Sequence, residues 1–195
     1  AGSSLDALVA GAEHAPNSVY ARLHNPTVAR FEHALATLES AEQAVAFGSG
    51  MAALTAVLLA LQEHGRHIVA VRPLYGGSDH LLATGLPGTT VSFVEAHEVA
   101  TAIRPDTALV LIETPANPTW VITDIAATAK LAHAAGARLA VDSTVATPVL
   151  TQPLILGADI VMHAATKYLN GYSDVIAGAL VTARDDDFWK RLKAI

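Results

Sequence analysis

With 195 residues, 52% of them hydrophobic and 15% charged, the chain has the length and apolar content for one well-buried domain and is too apolar for disorder. A net charge of −6 without a basic block argues against nucleic acid as the main partner, and the absence of cysteine excludes disulfides and thiolate zinc sites. No H-E-x-x-H array occurs among the nine histidines, and the strongest apolar run, 52–61, falls short of the ~20 residues that span a bilayer.

Residues 1–26 are expected to form an N-terminal arm, because they show no strong period and carry Gly, Ser, Asn and Pro. Asn25-Pro26 then signals a helix start, with Asn as cap and Pro in the first turn. Val28, Phe31, Leu35 and Leu38 follow at helical spacing, which predicts one apolar face. A short apolar run at 44–47 ends in Gly48-Ser49-Gly50, and a helix is predicted from Met51 to about His64, stopped by Gly65.

Beyond it strand-like and helix-like segments alternate. Strands are predicted at 67–71, 90–94, 108–113, 139–141, 159–163 and 177–182. Helices are predicted near 79–84, from Asp124 to Ala135, and from Phe188 onward. The alternation gives an α/β domain over 27–195, with a mostly parallel sheet flanked by helices on both faces. The absence of a signal-peptide pattern at the N-terminus and of cysteine fits a cytoplasmic protein.

In open α/β sheets ligands sit beyond the carboxyl ends of the strands. Those ends here carry Gly48-Ser49-Gly50, the Tyr75 turn, residues 113–117, Asp142 to Thr144, and Thr166-Lys167. One lysine, one acid, one aromatic ring and a glycine turn before a helix suit pyridoxal 5′-phosphate (PLP). The lysine forms a Schiff base with its aldehyde, and the acid keeps its ring nitrogen protonated. The aromatic ring offers a stacking face, and the helix N-terminus binds its phosphate.

The segments YARLHNPT, GSGMAAL, LYGGS, ETPANPT, VDSTVATP and GADIVMHAATKYLNGYSD carry a resemblance as well. In this order they resemble the Cys/Met-metabolism PLP enzymes, the family of cystathionine γ-synthase, cystathionine γ-lyase and methionine γ-lyase. The resemblance implies the large domain of the aspartate aminotransferase-type fold (fold type I), with PLP as cofactor and a sulfur amino acid as substrate. The reaction it implies is β- or γ-elimination at a C–S bond, or γ-replacement on an activated homoserine.

Position by position, the resemblance makes Lys167 the Schiff-base lysine and proton shuttle. Asp142 binds the ring nitrogen, with Thr144 close by. Tyr75 stacks on the ring and helps deprotonate the incoming amino group. Gly50 and Met51 give backbone N–H groups to the phosphate, and Thr166 gives a hydroxyl. Tyr20 and Arg22 reach the phosphate of a neighbouring subunit's cofactor, which implies a homo-oligomer, a dimer of dimers, with shared sites. Asn117 touches the substrate carboxylate or the cofactor's 3′ oxygen.

The chain also departs from the family pattern. Ala164 stands where the family has a serine, Gly77 where methionine γ-lyases carry a cysteine, and Tyr172 where a histidine is usual. Gly77 tilts the reading toward the cystathionine enzymes. The family's smaller C-terminal domain, which holds the arginine for the substrate's α-carboxylate, is not present in this sequence. Two rival readings remain: a cofactor-free relative kept for assembly, and an NAD(P)-dependent oxidoreductase. For the latter, Gly48 to Ala53 fits G-x-G-x-x-A, although Arg72 rather than an acid ends the next strand.

Overall fold

The computed structural model describes residues 24–61, 65–85 and 88–195. Its seven strands are β1 (Gln43–Phe47), β2 (His67–Val71), β3 (Thr90–Val94), β4 (Thr107–Glu113), β5 (Arg138–Asp142), β6 (Ile160–His163) and β7 (Gly178–Thr182). They form one sheet in the order β1-β7-β6-β5-β4-β2-β3. The pairs from β3 to β6 are parallel, whereas β7 is antiparallel to both β6 and β1. The predicted α/β class and mostly parallel sheet therefore hold.

The helices are α1 (Pro26–Leu38), α2 (Gly50–Ala60), α3 (Gly76–Thr84), α4 (Val99–Ala102), α5 (Ile125–Ala134), α6 (Thr147–Leu150) and α7 (Asp187–Ala194). Four of the starts follow from capping chemistry. Asn25, Ser49, Asp124 and Asp186 each accept a backbone N–H of the first turn, from Thr27, Ala52, Ala127 and Trp189. The predicted helix through Met51 is shorter than expected, ending at Ala60, and residues 62–64 lie outside the described residues.

Period-two alternation along β4 sorts its side chains between two cores. Leu109 and Leu111 join α2, α3 and α7 on one face, through Leu54, Leu58, Leu82, Phe188 and Trp189. Val110 and Ile112 join α1 and α5 on the other, through Leu35, Ile125 and Ala129. Each such side chain contributes about 1.5–3 kcal/mol by leaving water. The face predicted for α1 is buried only at Leu35; Val28, Phe31 and Leu38 are exposed. At the amino end of the sheet His67 is sealed, with Nδ1 bonded to Thr107 Oγ1 at 2.7 Å and Nε2 to Ser92 Oγ at 2.9 Å.

The topology removes the dinucleotide reading. A Rossmann turn needs its glycine-rich strand parallel and adjacent to the next one in sequence. Here β1 lies at the sheet edge, paired antiparallel to β7, and four strands separate it from β2. Arg72, the residue in the acid's place, forks onto Asp79 at 2.6 and 3.0 Å and stacks on Phe93.

Candidate active site

The carboxyl ends of β4, β5 and β6 and the amino end of α2 meet along one rim. Gly178 at the start of β7 sets the position of α2, since a Cβ there would lie 2.1 Å from the Ser49 carbonyl oxygen. Only glycine lets the Ser49-Gly50 turn lie so close to the strand. Gly50 is in turn pressed on Ala164, whose Cβ would be 2.8 Å from a Cβ at residue 50. Ser49 Oγ accepts from Ala52 N and the Ser49 carbonyl from Ala53 N. The N–H groups of Gly50 and Met51 are left at the positive end of an 11-residue helix, without a helical acceptor.

Asp142 ends β5 and is 7% exposed. Its Oδ1 accepts from Thr144 N at 3.0 Å and from Thr144 Oγ1 at 2.5 Å, while Oδ2 accepts from no described residue. Thr144 Oγ1 also accepts from Ala164 N at 2.8 Å, which binds the loop after β5 to the loop that carries Lys167. Burial raises the Asp142 pKa, while the Thr144 bonds and the nearby His163 pull it down. A buried carboxylate with one unspent oxygen is matched by a cationic N–H, as the protonated PLP ring nitrogen provides. The helix terminus offers two N–H groups to an anion, as the phosphate requires. By both criteria the residues present fit the cofactor.

Lys167 lies four residues past β6, exposed, and its backbone closes turns with the Ala164 carbonyl and Gly171 N–H. Among the described residues it makes no ion pair. Thr166 is more committed, since Oγ1 accepts from Ala177 N at 3.0 Å and donates to Ala177 O at 3.1 Å. Its hydroxyl reaches a phosphate only by rotating away from the carbonyl. Tyr75 is half exposed, and its ring lies beside Gly77 and next to Met51, since a Cβ at Gly77 would be 2.6 Å from the ring and 3.1 Å from Met51 Sδ. Asn117 is exposed on the loop after β4. Tyr20 and Arg22 lie outside the described residues.

Glu113, to which no role is assigned on the basis of sequence, sits in the middle of this set. It closes β4 at 6% exposure, in register with Asp142. Its Oε2 accepts from Tyr75 N and its Oε1 from Asn117 N at 2.8 Å. Burial, reinforced by Asp142 and opposed by these two N–H groups, pushes its pKa up to about 7. The one signal in the sequence is a glutamate ending an otherwise apolar strand. Behind the rim, His163 is not a surface-reaching catalyst, as its Nε2 pairs with Glu39 Oε1 at 2.6 Å where both side chains are fully buried.

Comparison with known proteins agrees with the fold. A protein described as L-methionine gamma-lyase from Streptomyces avermitilis is 57% identical over 98% of this chain and 46% of its own length. A cystathionine gamma-lyase from Bacillus subtilis is 47% identical over 84% of this chain and 44% of its own. The tilt drawn from Gly77 finds no support in these identities. Among solved structures, metB from Corynebacterium glutamicum superposes with a TM-score of 0.85 at 42% identity, over 90% of this chain and 46% of that one. The apo form of CalE6, a methionine gamma lyase from Micromonospora echinospora, gives 0.83 at 42% identity, over 90% and 48%. The chain spans about half the length of the curated relatives it matches. Residues 3–195 match the family described as Cys/Met metabolism PLP-dependent enzyme, and the chain belongs to that family, whose cofactor is pyridoxal 5′-phosphate.

Proposed function

We propose that this chain is the cofactor-carrying part of an enzyme that cleaves a C–S bond in a sulfur amino acid by β- or γ-elimination. The observation that carries the reading is the open Oδ2 of buried Asp142, on the same rim as the unspent N–H groups of Gly50 and Met51. The lyase names of the quoted curated relatives favour elimination over γ-replacement. When bound, PLP supplies an electrophilic aldehyde and a cationic ring that withdraws electrons from the amino acid's α-carbon.

The chain's own residues supply the rest. Lys167 Nζ would hold the aldehyde of the bound cofactor and, when free, would accept the substrate's α-proton. Asp142 Oδ2 holds the ring N–H, and its burial makes that charge-assisted bond strong. Gly50 and Met51 bind the phosphate through their amides, with the Thr166 hydroxyl beside them. The Tyr75 ring would cover one face of the cofactor and help deprotonate the incoming amino group. Asn117 orients the substrate carboxylate. Tyr20 and Arg22 act on the cofactor of a second subunit in a homo-oligomer, and the protein works in the cytoplasm.

The test is borohydride reduction of the PLP-loaded protein followed by peptide mapping. A phosphopyridoxyl group on Lys167 is expected; labelling of another lysine, or of none, overturns the reading.

A further inference from the structure

Glu113 makes no hydrogen bond to the groups that would hold the phosphate and ring nitrogen, yet among the described residues it is the one side chain bonded to two other candidate residues. Tyr75 precedes it by 38 residues and Asn117 follows it by four, and each directs its backbone N–H at a different oxygen of the same carboxylate. The start of α3 and the loop after β4 are thus fastened to one buried strand end. We infer that Glu113 is a positioning residue, a tie that sets the Tyr75 ring and the Asn117 carboxamide at a fixed separation and that protonation releases on one side. The functional side of this inference rests on the roles proposed above for Tyr75 and Asn117.

The physical reason is the acceptor count. An ionised carboxylate has only acceptors, so both oxygens can take an N–H. The protonated acid carries O–H on one oxygen and there points a donor at a donor, so one of the two bonds is lost. Burial first, and the Asp142 charge after it, bring this change to about pH 7, against the opposing pull of the Asn117 and Tyr75 N–H groups. The neighbouring titratable and charged groups are Asp142 at the end of β5, and the Tyr75 phenol and Arg72 on the turn after β2. His163, paired with Glu39, ends β6, and Lys167 lies four residues past it. Arg72 is held by Asp79, and of the whole set Asp142 is the charge that acts on Glu113 directly.

Glu113→Gln is a permanent copy of the protonated acid. The decisive measurement is backbone amide NMR of the cofactor-free protein from pH 5 to 9. In the wild type the Tyr75 and Asn117 amide resonances are expected to titrate together, with one midpoint near 7. In Glu113→Gln both are expected to be flat, near their wild-type low-pH positions. Different midpoints, fixed wild-type resonances, or titration that persists in the variant would overturn the tie. If the variant does not fold, the shared wild-type midpoint decides alone.

A second readout is PLP titration. The wild type should bind about tenfold more tightly than Glu113→Gln at pH 8, the worth of one ordinary hydrogen bond, and the two should converge at pH 6. Equal affinity at pH 8 overturns the positioning role. Borohydride labelling of Lys167 is independent of these amides, so failure of the cofactor reading and failure of the tie give different results.

Discussion

The two ends of the same sheet hold buried polar groups of opposite character. At the amino end His67 has both ring nitrogens bonded, to Thr107 and Ser92, and burial, with Arg104 nearby, lowers its pKa. At the carboxyl end Asp142 keeps Oδ2 unspent, and burial raises the pKa of both Asp142 and Glu113. A buried polar group with every atom satisfied stabilises the fold. One with an atom to spare costs stability until a ligand completes it. His67 and Asp142 are both buried; what separates them is the hydrogen bond that Asp142 leaves unmade.

The sharpest way to break this contrast is to remove His67. His67→Ala removes two buried hydrogen bonds and leaves a cavity, so chemical denaturation should show a loss of about 2–4 kcal/mol, with PLP affinity unchanged. Asp142→Asn should do the reverse. It loses the charge-assisted bond to the ring nitrogen, weakening PLP by about 1.5–3 kcal/mol in a spectroscopic titration, while stability holds or rises.

The two ends should also answer pH with opposite signs. Glu113 has a folded pKa above its unfolded one, so its contribution is intact below about 4.5 and is lost as pH rises toward about 7. The loss is on the order of 2 kcal/mol in the cofactor-free protein and should vanish in Glu113→Gln. The folded pKa of His67 is depressed, so its contribution is intact above about 6.5 and falls as pH drops below that. Denaturation midpoints across pH 4–8 for the wild type and each variant measure both slopes. The smallest effect belongs to Ala164→Ser. Residue 164 faces Gly50, so an added hydroxyl should tighten PLP by about 0.5–1.5 kcal/mol in equilibrium titration.

The site was legible in the sequence wherever a single charge ends an apolar strand or follows it closely. Asp142 and Lys167 stand out in that way, and the Ser49 cap marks the helix that follows. Glu113 has the same signature, but its role lies in Tyr75, 38 residues away, and no local pattern carries that contact. For the same reason the apolar run at 44–47 and the strand predicted at 177–182 mark β1 and β7 as segments without showing that they pair at the sheet edge. The period of α1 foretold an amphipathic helix but not what covers it, and Val28, Phe31 and Leu38 are exposed. The short helices α4 and α6, at four residues each, are too brief to show any period.

The approach of Gly178 to Ser49 also has a bearing on how the chain is made. The turn at residues 48–50, proposed above to bind the phosphate, is held in place by a strand almost 130 residues later. Contacts of such separation form late, because a long loop must close before they reward it. During synthesis the parallel strands β2 to β6 emerge and can pair first, and the turn at Gly50 acquires its support only when β7 arrives. A nascent chain stopped before residue 178 would hold Asp142 and Lys167 but lack a fixed seat for the phosphate, so cofactor capture becomes one of the last events in the maturation of this domain.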